Sequence, residues 1–95
     1  MDYFKKYGLN DEDIKEIEEY IEDDDINNYY VNELEIIEIL DYLNELGLEN
    51  LKDILKYKTN IFYEKINNIK KSFEDRKDIV KLINEDITNF ELIGY

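Results

Sequence analysis

Apolar residues recur three and four positions apart along nearly the whole chain, and no segment alternates apolar and polar residues with a period of two. That spacing gathers apolar side chains on one face of an α-helix and leaves no candidate strand. Ile14, Ile17 and Ile21 predict a first helix over residues 11–22, capped by Asn10 or Asp11, with its carboxylates in the first turn where the helix dipole favours them. The run Asp23-Asp24-Asp25 reads as a break, because short acidic side chains compete for backbone groups and repel one another, and Asn27-Asn28 reads as a turn. A long central helix is expected from near Tyr29 to Gly47. Val31, Leu34, Ile37, Leu40, Leu43 and Leu46 form its stripe, Ile36 and Ile39 widen it, and Gly47 suits a left-handed cap.

Further along, Leu51, Ile54 and Leu55 predict a short helix to about Lys56, and Thr59-Asn60 can cap a helix carrying Phe62, Ile66, Ile69 and Phe73. Asp75 is expected to open a helix with Ile79, Val80, Leu82 and Ile83. After Asn84-Glu85-Asp86 a last turn bears Ile87, Phe90 and Leu92. The expected fold is all-α: residues 1–95 as a single acidic domain, a compact bundle or short irregular stack of five to six helices.

Composition narrows the chemistry. Ninety-five residues hold one core, burying about 60–65% of the unfolded surface. With no His and no Cys there is no imidazole or thiolate zinc site, no disulfide and no Ser-His or Cys-His dyad. Carboxylates, Lys, Tyr and a few hydroxyls remain, and a helical domain this small offers little pocket volume, so the expectation is a protein that is not an enzyme and carries no cofactor and no metal. No Ala or Pro, alongside 15 Ile, 11 Asn and 9 Tyr, points to an AT-rich bacterial or phage genome.

The net charge of −13 is divided unevenly, with 17 acidic and 3 basic residues in positions 1–50 against 8 and 9 in positions 51–95. Such a first half repels phosphate backbones and anionic lipid, which are bound through Lys and Arg, so direct nucleic-acid and membrane binding are both disfavoured. The same field draws a partner with a basic surface, or simply keeps the chain soluble. Met1 to Lys6 lacks the apolar run of a signal peptide, which makes a cytoplasmic location the default expectation. Crowded carboxylates over residues 11–25 are expected to repel one another in the folded state. Some of their pKa values would then rise and the melting temperature would climb as pH drops from about 7 to about 5, unless helix dipoles and Lys partners from the second half, which depress carboxylate pKa values, cancel the effect.

Two corners have similar sequences, Gly8-Leu9-Asn10 before Ile14 and Gly47-Leu48-Glu49-Asn50 before Ile54. Within residues 34–93, the segment Leu43-Asn44-Glu45-Leu46-Gly47-Leu48 leads through Ile54-Leu55 to Asn60-Ile61-Phe62, and Ile79-Val80-Lys81-Leu82-Ile83-Asn84 leads to Phe90. This pattern resembles the helical repeats of the mitochondrial transcription termination factors, in which a leucine-glycine-leucine corner opens a short helix and repeats stack into a curved solenoid that binds nucleic acid. The resemblance implies two to three such repeats. The chain differs in having no proline and no strongly basic half, and no binding residue is carried over.

Candidate contacts come from the acidic half. Glu12, Glu16, Glu19 and Asp23 stand three or four apart, which would place them on one helix face with about 6 Å between neighbours, near the spacing of phosphates along a nucleic-acid strand. Tyr20, Tyr29 and Tyr30 add rings that can pack against the core or anchor a partner, and the doublet Tyr29-Tyr30 cannot turn both rings inward. Asp23-Asp24-Asp25 lacks the ligand order of a calcium loop and reads as a solvated corner. Two functions remain in view: a protein–protein interaction module, or a phage-type inhibitor of restriction or CRISPR enzymes that mimics nucleic acid. The family resemblance adds a nucleic-acid-binding repeat protein as a third.

Overall fold

The structure, a computed structural model, describes all of residues 1–95 and is helical throughout, with no strand. Nine helical elements replace the expected five to six. Six are α-helices: α1 (Asp11–Tyr20), α2 (Asp23–Val31), α3 (Glu33–Glu45), α4 (Leu51–Tyr57), α5 (Ile66–Glu74) and α6 (Ile79–Glu85). Three are 3-10 helices, at Asp2–Tyr7, Thr59–Tyr63 and Ile87–Ile93. The last matches the expected final turn. The middle one takes Phe62 out of the expected α5, and Asp75 closes that helix instead of opening the next.

The largest departure lies between residues 21 and 33. Asp23, Asp24 and Asp25 do not break a helix; they form the first turn of α2, which runs through Asn27-Asn28 and Tyr29. Ile21 and Glu22 are both extended, so α1 stops at Tyr20 and a new helix starts with three carboxylates in its first turn, the end of the dipole that favours negative charge. That favourable end outweighs the mutual repulsion of the acids. The expected long helix is divided at Asn32, whose backbone (φ −106°, ψ 39°) lies outside the helical range. Asn28 holds the joint. Its buried amide donates to the Phe62 carbonyl (3.2 Å) while its side-chain oxygen accepts from the Asn32 amide (2.7 Å).

Twenty-one buried apolar residues form one continuous core. The remaining length of the stripe, Ile36, Ile39, Leu40 and Leu43, makes α3 the central element, packed by α2, α4, α5 and two of the 3-10 helices. Tyr29 sits at the middle of one half, fully buried, with its ring edge-to-face against Phe4 and Phe62 at 5.5 Å each. Its hydroxyl donates to the Leu55 carbonyl at 2.8 Å, a group in the last turn of α4 without an intrahelical partner. Tyr42, Phe73 and Phe90 form a similar edge-to-face series in the other half.

Both expected Gly-Leu corners are real turns. Gly8 (φ +85°) and Gly47 (φ +92°) adopt left-handed backbone, and the leucine after each is buried. At Gly47 the Leu48 N–H bonds back to the Leu43 carbonyl (3.2 Å), the six-to-one closure that terminates a helix through a left-handed residue. Asn84 of α6 then clasps the same corner, donating to the Gly47 carbonyl and accepting from the Glu49 N–H, each at 3.0 Å.

Candidate functional site

The acidic ladder expected on one face is spread over two helices. Glu12, Glu16 and Glu19 lie on α1, but Asp23 opens α2 beyond the extended joint. Glu12, Glu19 and Asp23 are exposed. Glu16 is engaged within the protein, because α1 packs on α4 and two lysines reach across: Lys52 to Asp13 (3.2 Å) and Glu16 (3.0 Å), Lys56 to Glu16 (3.2 Å). Lys56 also stands over the Tyr20 and Tyr57 rings, 4.9 and 5.1 Å from their centres, and those rings meet edge to face at 5.1 Å. Tyr20 is thus the roof of a lysine clasp and part of the α1–α4 contact.

At Asp13 and Glu16 this clasp works against the repulsion expected of residues 11–25. The Asn10 N–H and the Lys52 ammonium hold the Asp13 carboxyl below its ordinary range, and Lys52 with Lys56 does the same for Glu16. The Tyr7 hydroxyl, at 2.6 Å, and Lys6 lower Asp41. These three carboxylates are therefore favoured in their charged form, the opposite direction to that expected from crowding.

The two adjacent tyrosines separate as their angular offset requires. Tyr29, a candidate contact from sequence, is buried in the core and withdrawn from any surface role. Tyr30 points outward, and its hydroxyl donates to Glu18 at 3.3 Å. Beside it lies a surface that sequence reasoning assigned to the core. Val31 is 68% exposed, Leu34 80% and Tyr30 55%. Leu34 stands two residues before Ile36, about 200° away round the helix, so the inward stripe of Ile36, Ile39, Leu40 and Leu43 leaves it facing solvent. That angular mismatch was the available signal.

Along α2 and α3 themselves the charge is of one sign. Residues 16–51 contain 13 carboxylates and no Lys or Arg. Some are occupied: Asp41 pairs with Lys6 at 3.2 Å and Asp25 accepts from the Tyr63 hydroxyl at 2.7 Å. Glu22, Asp23, Asp24, Glu33, Glu35 and Glu38 are exposed and have no partner within the protein. A cleft of about 360 Å³ runs beside α3, lined by Asn32, Glu35, Glu38, Tyr63 and Glu64 with one cation, Lys65, on its far wall. The site is an acceptor-rich surface with an apolar centre, built on α2 and α3. No helix is long and apolar enough to cross a membrane.

Comparison with known proteins returns no matching family model, no matching curated protein and no matching solved structure.

Proposed function

We propose that the chain is a protein-binding module that offers the acidic α2–α3 surface to a partner with a basic face. The reading is carried by one observation: six exposed carboxylates without internal partners share with three exposed apolar side chains a stretch devoid of Lys and Arg. Apolar surface supplies affinity when it is covered, and a ring of one charge selects the partner and speeds its approach. The α1 face is the weaker candidate, since Lys52 and Lys56 already answer its carboxylates.

Capture from a host lysate with the immobilised chain tests this, in parallel with a variant carrying Glu33→Lys, Glu35→Lys and Glu38→Lys. A protein retained by the parent and lost by the variant supports the reading; identical captures overturn it. Release of the captured protein by duplex DNA or RNA would assign the nucleic-acid mimic instead, because only a nucleic-acid-binding partner shares its site with those competitors. A nucleic-acid-binding repeat of the termination-factor kind over residues 34–93 rests on the Gly47 corner that leads into α4. It would need a basic surface, whereas residues 51–95 balance 9 basic residues against 8 acidic ones.

A further inference from the structure

The opposite end of α3 carries a feature complementary to the Val31–Leu34 ridge. Tyr42 and Leu46, from the last turns of α3, join Phe73 and Val80 to line an apolar groove of about 370 Å³. Arg76, which also pairs with Asp78 at 3.0 Å, and Lys77 form its lip, together with Glu74. Lys70 stands nearby with its ammonium 5.6 Å from the centre of the Tyr42 ring. Across residues 65–81 six basic residues face three acidic ones, in a protein whose net charge is −13. The groove therefore asks for an apolar side chain flanked by carboxylates.

Such a segment exists in this molecule: Leu34, 80% exposed, lies between Glu33 and Glu35. It cannot reach the groove of its own chain. Leu34 and Leu46 are twelve residues apart along α3, about 18 Å at the rise of an α-helix, and at opposite ends of it. We propose that the acid-flanked Val31–Leu34 ridge of one copy seats in the Arg76–Lys77 groove of a second copy, giving a head-to-tail self-association. The two surfaces differ, so each added copy leaves one ridge and one groove open. The contact builds chains or closes a ring and does not stop at a two-fold dimer.

Net charge sets the conditions. At about 0.15 M salt the Debye length is about 8 Å, so in a molecule 33 Å long only charges close to the contact interact across it, and there the signs are opposite. At about 0.01 M salt the screening length is about 30 Å and the whole −13 of each copy repels the other. Association therefore strengthens with salt over this range, the reverse of simple ion pairing. One small ridge in one groove covers less than the roughly 1,200 Å² of standard interfaces, so the contact is weak and belongs near millimolar concentration. Covering α2–α3 in this way also competes with the basic partner proposed above, although the self-association does not depend on that reading.

Sedimentation equilibrium of the purified chain from about 0.05 to about 1 mM tests the proposal. At about 0.15 M salt the mean mass should climb with concentration from 11.6 kDa, and at about 0.01 M salt it should stay there. Leu34→Asp, at an exposed position, and the pair Arg76→Glu with Lys77→Glu should each hold the chain monomeric, with melting curves showing that both variants fold. Mixed in equal amounts, the two should recover a one-to-one dimer and nothing larger, since one intact ridge meets one intact groove. A parent that remains monomeric to about 1 mM at about 0.15 M salt overturns the proposal. So do variants that associate like the parent, and so does a mixture that fails to dimerise.

Discussion

Tyr29 and Leu34 are five residues apart and occupy opposite extremes of environment. Tyr29 →Phe removes only the hydroxyl that serves the Leu55 carbonyl, and should lower stability by about 1–3 kcal/mol, the penalty for leaving a buried acceptor unpaired. Leu40→Ala, at a fully buried position of α3, should cost about 2–5 kcal/mol. Leu34→Ala should stay within about 0.5 kcal/mol, although both leucines belong to the same apparent stripe. Denaturant melts of the three variants check this order, and a Leu34 effect as large as that of Leu40 would contradict the exposure described. Sequence spacing identified Leu40 because the stripe that marks it as inward-facing, Ile36, Ile39 and Leu43, lies in its own helix. It could not place Tyr29, whose hydroxyl acceptor lies 26 residues away, or Glu16, whose lysines lie 36 and 40 residues away.

At the scale of elements, the corners decide more than the stripes. Gly47→Ala should destabilise by about 1–2 kcal/mol through the backbone alone, since the space where a Cβ would stand is empty and only the left-handed φ resists it. Gly47→Asn should cost less, because asparagine tolerates that conformation better. Equal losses would mean that the corner is held by something other than φ. Asn10→Ala should cost about 0.5–2 kcal/mol, since Asn10 accepts the Asp13 N–H while Asp13 accepts the Asn10 N–H. Helix existence was legible at α1, where apolar spacing and the capping residue agree, and at α4 from apolar spacing alone. It was illegible at α2, because three aspartates have one meaning in a loop and the opposite one at a helix start. Only the extended Glu22 before them distinguishes the two cases, and no local residue announces it. The N-terminal 3-10 helix left no periodic trace in six residues, yet it places Phe4 fully in the core.

For the whole molecule, pH acts through its ionised pairs. Asp13, Glu16, Asp41, Glu64 and Asp86 all have carboxyls lowered by hydrogen-bond donors or lysines. A lowered folded pKa gives stability that is present above the unfolded value of about 4 and is lost as pH falls through the folded one. The melting temperature should thus hold between about pH 7 and pH 5 and drop below about pH 4. A rise from pH 7 to pH 5 would restore the repulsion reading. At the alkaline end the tyrosines take over. Burial pushes up Tyr3, Tyr7 and Tyr29, and the bond to Asp25 raises Tyr63 to about 12. The folded state keeps those protons after the unfolded chain has released them, so stability declines above about pH 10, and phenolate absorbance should appear together with unfolding.

The 36 positions without Lys or Arg have a practical consequence for chemistry performed on the protein. Reagents that acylate or cross-link lysine amines find no target on α2 or α3, so labelling leaves the Val31–Leu34 ridge unmodified. A chain anchored to a surface through its lysines is therefore held by the rest of the fold, with that ridge free of attachment points. Trypsin is blind to the same stretch, whether it is folded or not, and a protease that cuts after glutamate is needed to follow its opening.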